Sequence, residues 1–234
     1  MTAQQRPHTR IPLSRERVFE AAISVADNGG LEALTMRALA TELDVEAMSL
    51  YYHVKNKEAI LDGVVEALVT EIEDECGGFE PHAGTGDWKA ALRTRILHAR
   101  TVMLRHKWAP ALIETRTTIG LGTMRYMHGI IAILRAGGFS WDLIHHTMHA
   151  LGSRALGFSP ELFEPGAPQD QADLGELMDL AASEVPLLVE MLSNIAHDDP
   201  DSTIGWCDDQ TEFLFGVDVL LDGLEHRLEA ERGS

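Results

Sequence analysis

Residues 34–61, LTMRALATELDVEAMSLYYHVKNKEAIL, decide the fold. They read as two short helices joined by a tight turn, with the capped start of a third helix directly behind. Thr35 suits an N-cap, and Leu34 and Leu39 sit where the two halves of a hydrophobic staple belong. Leu39, Ala40 and Leu43 give the first helix one apolar face. Asp44-Val45 breaks it, and Leu50 and Val54 give the next helix its buried side. Outward on that second helix remain Ala47, Met48, Ser49, Tyr51 and Tyr52, with His53, Lys55 and Lys57 just beyond. Small, hydroxyl-bearing and aromatic groups with cations at one end suit insertion into a DNA major groove. The plain alternative, a surface helical hairpin, usually carries Glu and Lys on its outer face.

Outside this stretch, composition sets bounds. A chain of 234 residues forms one large domain or a small domain plus a larger one. A hydrophobic content of 45% supports a substantial core, and 24% charged residues argues against disorder. No run of about 18 apolar residues occurs, so no membrane partner is expected. The opening stretch MTAQQRPHTRIPLSRER is polar and basic and lacks the apolar segment of a secretory signal. Two cysteines, Cys76 and Cys207, are too few for a disulfide scaffold and fit free thiols in a cytoplasmic protein.

The net charge of −18 opposes DNA binding until its distribution is read. Residues 1–60 carry seven Lys/Arg and eight Asp/Glu, whereas 61–234 carry twelve and twenty-nine. The arm from Met1 to Arg17 holds four arginines (Arg6, Arg10, Arg15, Arg17) against the single acid Glu16. The basic end points at DNA, and the acidic bulk is repelled by it.

Ten helices and no strand are expected, an all-α chain. Helix 1 starts at the N-cap Ser14 and ends at Gly29-Gly30, with Phe19, Ala22, Ile23 and Ala26 as its stripe. Helix 4 runs from Asn56 to about Glu75, and Gly77-Gly78 to Gly86 form a linker. Asp87 caps helix 5, Pro110 opens a short helix 6, and helix 7 covers roughly 118–136, stopping at Gly137-Gly138. Helix 8 runs from near Ser140 to about Phe158, residues 159–173 form a loop, and helix 9 covers about 184–197. Helix 10 runs from about Asp209 to Arg232. Phe213, Val217, Leu220, Leu224 and Leu228 form one stripe on it, while Leu214, Phe215, Val219 and Leu221 cover much of the rest. A helix apolar nearly all round is buried on more than one side, so this stripe is the expected homodimer interface. A central helix of a monomeric bundle is the alternative.

Chemistry beyond DNA contact finds little support. His145 and His149 lie four apart and share a helix face, but no Cys-x-x-Cys or His-Glu-x-x-His accompanies them, so no metal is expected. No nucleophile elbow or phosphate loop is present, so neither an enzyme nor a cofactor is expected. Trp108, Met124, Met127, Trp141 and Met148 suit an adaptable, mainly apolar pocket between helices, with Arg116, His145 and His149 as polar anchors.

The segment 34–61 closely resembles the DNA-binding region of the tetracycline-repressor (TetR) family of bacterial transcription regulators. The family pattern is Thr and Arg opening helix 2, a Gly-Val turn, then Leu-Tyr-x-His-hydrophobic-x-x-Lys. Here these are Thr35, Arg37, Asp44-Val45, Leu50, Tyr51, His53, Val54 and Lys57. Asp44 departs from the usual glycine, and Asp tolerates a positive-φ turn better than most residues. YHVKNK and the distant EFLFGVDVLLDGLEHRL, 212–228, are similar to the branch sharing the tetracycline repressor's C-terminal domain.

The resemblance implies a DNA-binding helix-turn-helix domain over 1–60 with a basic arm, and a helical-bundle ligand-binding and dimerisation domain over 61–234. It implies a homodimeric repressor on double-stranded, palindromic operator DNA, released by a small organic inducer. Thr35, Arg37, Ser49, Tyr51, Tyr52, His53 and Lys57 carry over as DNA-contacting positions. Arg37 and Lys57 would fix position on phosphates, and Ala47 and Met48 offer apolar contacts suited to thymine methyls. Dimerisation falls to helices 8 and 10. The branch's metal-binding histidine, with a one-residue gap before Thr115-Arg116, corresponds to Ile113, which argues against a magnesium–tetracycline ligand. The reading from another class is an all-α small-molecule-binding or scavenging protein whose hairpin never touches DNA.

Overall fold

The computed structural model describes residues 12–77, 87–158, 183–187, 189–190 and 209–233. These residues form helices α1 (Arg15–Ala33), α2 (Met36–Glu42), α3 (Ala47–Leu50), α4 (Lys57–Glu75), α5 (Trp88–Arg105), α6 (Ala109–Glu114), α7 (Leu121–Ala136) and α8 (Trp141–Leu151). A 3-10 turn (Gly152–Leu156) and α9 (Asp209–Arg232) follow. No strand occurs among the described residues, and none of the helices searched there is long and apolar enough to cross a membrane.

The chain divides into two compact units, Met1–Ser140 and Trp141–Ser234. In the first, α1 packs on α2 and α4, and α4 packs on α5, α6 and α7. In the second, α8 packs on α9. Helix α4 passes through residue 60 without interruption, so a single rod joins the helix-turn-helix to the helices behind it.

Local chemistry explains most helix ends. The Ser14 hydroxyl accepts from the Arg17 N–H at 3.2 Å, Thr35 from Ala38 at 3.1 Å, Asn56 from Ala59 at 2.8 Å and Asp87 from Ala90 at 2.9 Å. Each satisfies one of the orphan donors at a helix start. Helix α1 loses its helical backbone at Gly30 (φ 72°, ψ 176°), where the sequence places its stop. Asp44 takes φ 51° in the turn between α2 and α3. Gly63 lets α4 approach α1, because a Cβ there would collide with the Phe19 ring.

Two ends differ from expectation. Helix α7 starts at Leu121, not near 118, because its first donors are held by a carboxylate from α4 (below). Helix α8 stops at Leu151, since Gly152 (φ 45°) and Gly157 (φ 81°) turn the backbone. The expected linker 78–86, the loop 159–173 and residues 191–197 of helix 9 lie outside the described residues. Ser183–Glu184, Pro186–Leu187 and Val189–Glu190 are helical within that region's start.

Candidate nucleic-acid interface and effector residues

The second helix of the helix-turn-helix is a single turn whose inner side is fixed by Leu50 (0% exposed) and Val54 (3%). Its outer side presents Met48 (70% exposed), Tyr51 (47%) and Tyr52 (89%). Ala47, Ser49 and His53 are half-buried beside them, and Arg37, Lys55 and Lys57 are exposed. Thr35 is also exposed, with its hydroxyl engaged as the α2 cap. The nine DNA-contact candidates thus lie on the helix-turn-helix and the start of α4.

A cleft of about 770 Å³ opens here, lined by Pro12, Leu13, Arg17, Asp44, Glu46, Ser49, Tyr52 and His53, among others. Arg17 donates to the Pro12 carbonyl at 3.0 Å and so fastens the base of the arm. Hydrogen bonds from its own backbone and from Ser14, with the charges of Arg15 and His53, hold the Glu16 carboxyl below its usual range.

Behind this surface, carboxylates of α1 and α4 grip the segment 105–123. Trp108 Nε1 donates to Asp27 Oδ1 at 2.7 Å, and the same oxygen lies 2.8 Å from His106 Nδ1. The other ring nitrogen of His106 is 3.2 Å from Glu71. Arg105 pairs with Glu71 and Glu75. Arg116 binds Glu58 at 2.8 Å and Asp62 at 3.3 Å, and the Glu58 bond foremost raises its pKa. Glu66 accepts from the N–H groups of Gly122 (2.6 Å) and Thr123 (3.3 Å) and from the Thr123 hydroxyl (2.9 Å), so it caps α7 from another helix. Sequence reasoning missed this seam because its partners lie thirty or more positions apart. The signal present was Glu58, Asp62 and Glu66 at four-residue spacing, one stripe on α4.

The ligand candidates separate into the two units. Trp108, Ile113, Arg116, Met124 and Met127 belong to the first, and Trp141, His145, Met148 and His149 stand on α8 in the second. Trp108 and Arg116 are engaged by the seam, Arg116 through its ion pairs with α4. Met124 and Trp141 are exposed, Ile113, Met127 and Met148 half-buried. His145 and His149 are exposed, with ring centroids 4.7 Å apart and edge to face. Among the described residues, no three or more His, Cys, Asp or Glu side chains are grouped to hold a metal ion.

The expected dimer stripe is largely covered within one chain. Phe213, Val217, Leu224 and Leu228 are 0–8% exposed within the chain itself, as is Leu221, while Leu220 is half-buried. The open apolar residues of α9 are Phe215 (67%) and Val219 (53%).

Comparison with known proteins agrees with this arrangement. Residues 18–64 match the model for bacterial regulatory proteins of the tetR family, and residues 80–228 match the tetracyclin repressor-like C-terminal domain. The HTH-type transcriptional repressor DrrR1 of Streptomyces coeruleorubidus is 27% identical over 94% of this chain and 80% of its own length. The class D tetracycline repressor protein of Escherichia coli is 29% identical over 93% and 92%. The crystal structure of the Streptomyces coelicolor TetR family protein ActR with (S)-DNPA superposes with a TM-score of 0.67 at 28% identity, covering 92% of this chain and 98% of that one. These relatives are transcription regulators, not enzymes. With both of its parts matched in order and the reading helix presented outward, the chain belongs to the tetR family of bacterial regulatory proteins and is a ligand-responsive, DNA-binding repressor.

Proposed function

We propose that two copies of the chain hold a near-palindromic operator in the cytoplasm and release it when a small, mainly apolar organic molecule binds in 61–234. Residues 1–60 serve as the reading unit. The observation that carries this is the split across the end of α3 and the turn after it: Leu50 is fully buried while Tyr52, two residues on, is 89% exposed. Such a helix spends its polar and aromatic groups on a partner. The candidates Thr35, Arg37, Ala47, Met48, Ser49, Tyr51, Tyr52, His53 and Lys57 contact DNA, with Arg37 and Lys57 on phosphates.

The seam supports a route for induction. A ligand that reorganises 105–123 pulls on Glu58, Asp62 and Glu66, and these stand on the rod that leaves the helix-turn-helix. Only a difference in ligand affinity between the two conformations drives release. ActR holds (S)-DNPA in its structure, and other relatives are named tetracycline repressors. An organic ligand here fits that company. Ile113 favours one that needs no divalent metal.

The test is a gel shift at low salt with DNA flanking the chain's own gene, followed by titration of tetracycline with and without magnesium. A shift with at least one fragment supports the reading. No shift with any fragment favours a small-molecule-binding protein, and release by tetracycline only with magnesium overturns the metal-free ligand.

A further inference from the structure

The cleft beside the reading helix carries charges of the wrong sign for a surface that meets DNA. Its floor is apolar, from Leu13, Leu43 and Val45, and Asp44 and Glu46 stand exposed on its rim. Glu46 occupies the N-cap position of α3, yet its side chain caps nothing there. Among the described residues neither carboxylate holds an ion pair. Arg17, also in the lining, is engaged by the Pro12 carbonyl at 3.0 Å. Two bare carboxylates next to Ser49, Tyr52 and His53 repel phosphates at the place where phosphates are to be met. Asp44 moreover stands at φ 51°, where glycine would be at ease. A carboxylate in that position gains only if a cation meets it.

The described chain starts at Pro12, on the edge of the cleft, so residues 1–11 join it at the rim. That segment, MTAQQRPHTRI, holds Arg6, His8 and Arg10 and no acid. Eleven residues span at most about 36–40 Å, so both arginines reach Asp44 and Glu46. A segment tethered at the edge of its site is present at an effective concentration on the order of millimolar, so a few weak ion pairs suffice to hold it. Ile11 adds an apolar side chain suited to the floor.

We propose that residues 1–11 dock in this cleft when DNA is absent, with Arg6 and Arg10 against Glu46 and Asp44, and so shield the reading helix. DNA phosphates compete for the same guanidiniums, and binding exchanges one set of partners for the other. A chance DNA sequence repays that exchange poorly, whereas an operator that engages the whole reading surface repays it. The docking itself needs no DNA; the competition rests on the reading of 1–60 as the DNA-reading unit.

The test digests the full chain with trypsin in the absence of DNA and times cleavage of the bond between Arg10 and Ile11 by mass spectrometry. Asp44→Asn with Glu46→Gln should speed that cleavage about threefold to tenfold, the effect of losing two exposed ion pairs. Salt at about 0.5 M should speed it likewise in the unaltered chain and abolish the difference between the two. Asp44→Gly, which the turn accepts, should give a smaller gain and carries the comparison if the double variant does not fold. Affinity for a DNA fragment flanking the gene is then read by anisotropy at low salt. Removing the two acids should tighten binding, and in a chain that also carries Arg6→Gln and Arg10→Gln the gain should be at least about twofold smaller. Equal cleavage rates in the unaltered chain and the variants overturn the proposal, as does an equal gain in both arm backgrounds, which simple relief of repulsion would give. Failure of every chain to hold DNA would sink the operator reading, and the cleavage rates alone would then decide the docking.

Discussion

Tyr52 and Leu50 stand two residues apart and face opposite ways, one to solvent and one into the core. Tyr52→Ala should weaken operator binding while leaving the melting temperature nearly unchanged, since its ring is 89% exposed. Leu50→Ala should cost about 2–5 kcal/mol in urea denaturation, as a truncation at a fully buried site. The reverse pattern would show that the facing of α3 is wrong. Asp44 gives a second residue-level expectation. Its φ of 51° lies where glycine is at ease, so Asp44→Gly should leave stability level or raise it by up to about 1 kcal/mol. A clear loss would mean that the Asp44 side chain itself holds the turn. At this scale the sequence was legible wherever chemistry is local: the four side-chain caps and the strained turn follow from residue type and position. The seam partner of Arg116 was not legible, because nothing within a few residues of it reveals Glu58, more than fifty positions away.

Helices were legible as elements, but their partners were not. Periodicity on α9 shows that a face is covered and is silent on what covers it. The stripe through Phe213, Val217, Leu224 and Leu228 is filled from within the chain. Leu224→Asp should therefore unfold the protein, whereas Phe215→Asp and Val219→Asp should yield folded monomers in sedimentation. Intact dimers in both surface variants would place the interface elsewhere. The α4–α7 contact invites a double-mutant cycle. Glu66→Ala removes the cap of α7 and should cost about 0.5–2 kcal/mol. Gly120→Ala sets a Cβ into the Glu66 carboxylate and should cost about 1–3 kcal/mol. In the Glu66→Ala background the second change should cost much less, because the obstacle is gone. Additive costs would mean that Gly120 is needed for another reason. The late start of α7 was hidden for the same reason as the ion pair of Arg116: its cap is 56 residues upstream.

The whole molecule carries −18 charges, concentrated away from the reading head. Such a distribution would leave specific contacts to supply affinity, with the arginine arm, on the proposed reading, adding the salt-sensitive part. Removing residues 1–12 should weaken binding and flatten log affinity against log salt by about one unit for each phosphate that the arm neutralises. An unchanged slope would mark the arm as a bystander. Part of the acidic excess also has a mechanical use, since Asp27, Glu58, Asp62, Glu66 and Glu71 tie down 105–123. Helix α4 then behaves as a lever with arithmetic of its own. Its 19 residues span about 28 Å at the α-helical rise. A tilt of roughly 5° about one end carries the other by about 2.5 Å. In the proposed dimer, two copies tilting oppositely would change the separation of their reading heads by about 5 Å, against a half-site repeat of about 34–36 Å. That is some one and a half base steps, enough to put both heads out of register with the grooves while each stays folded.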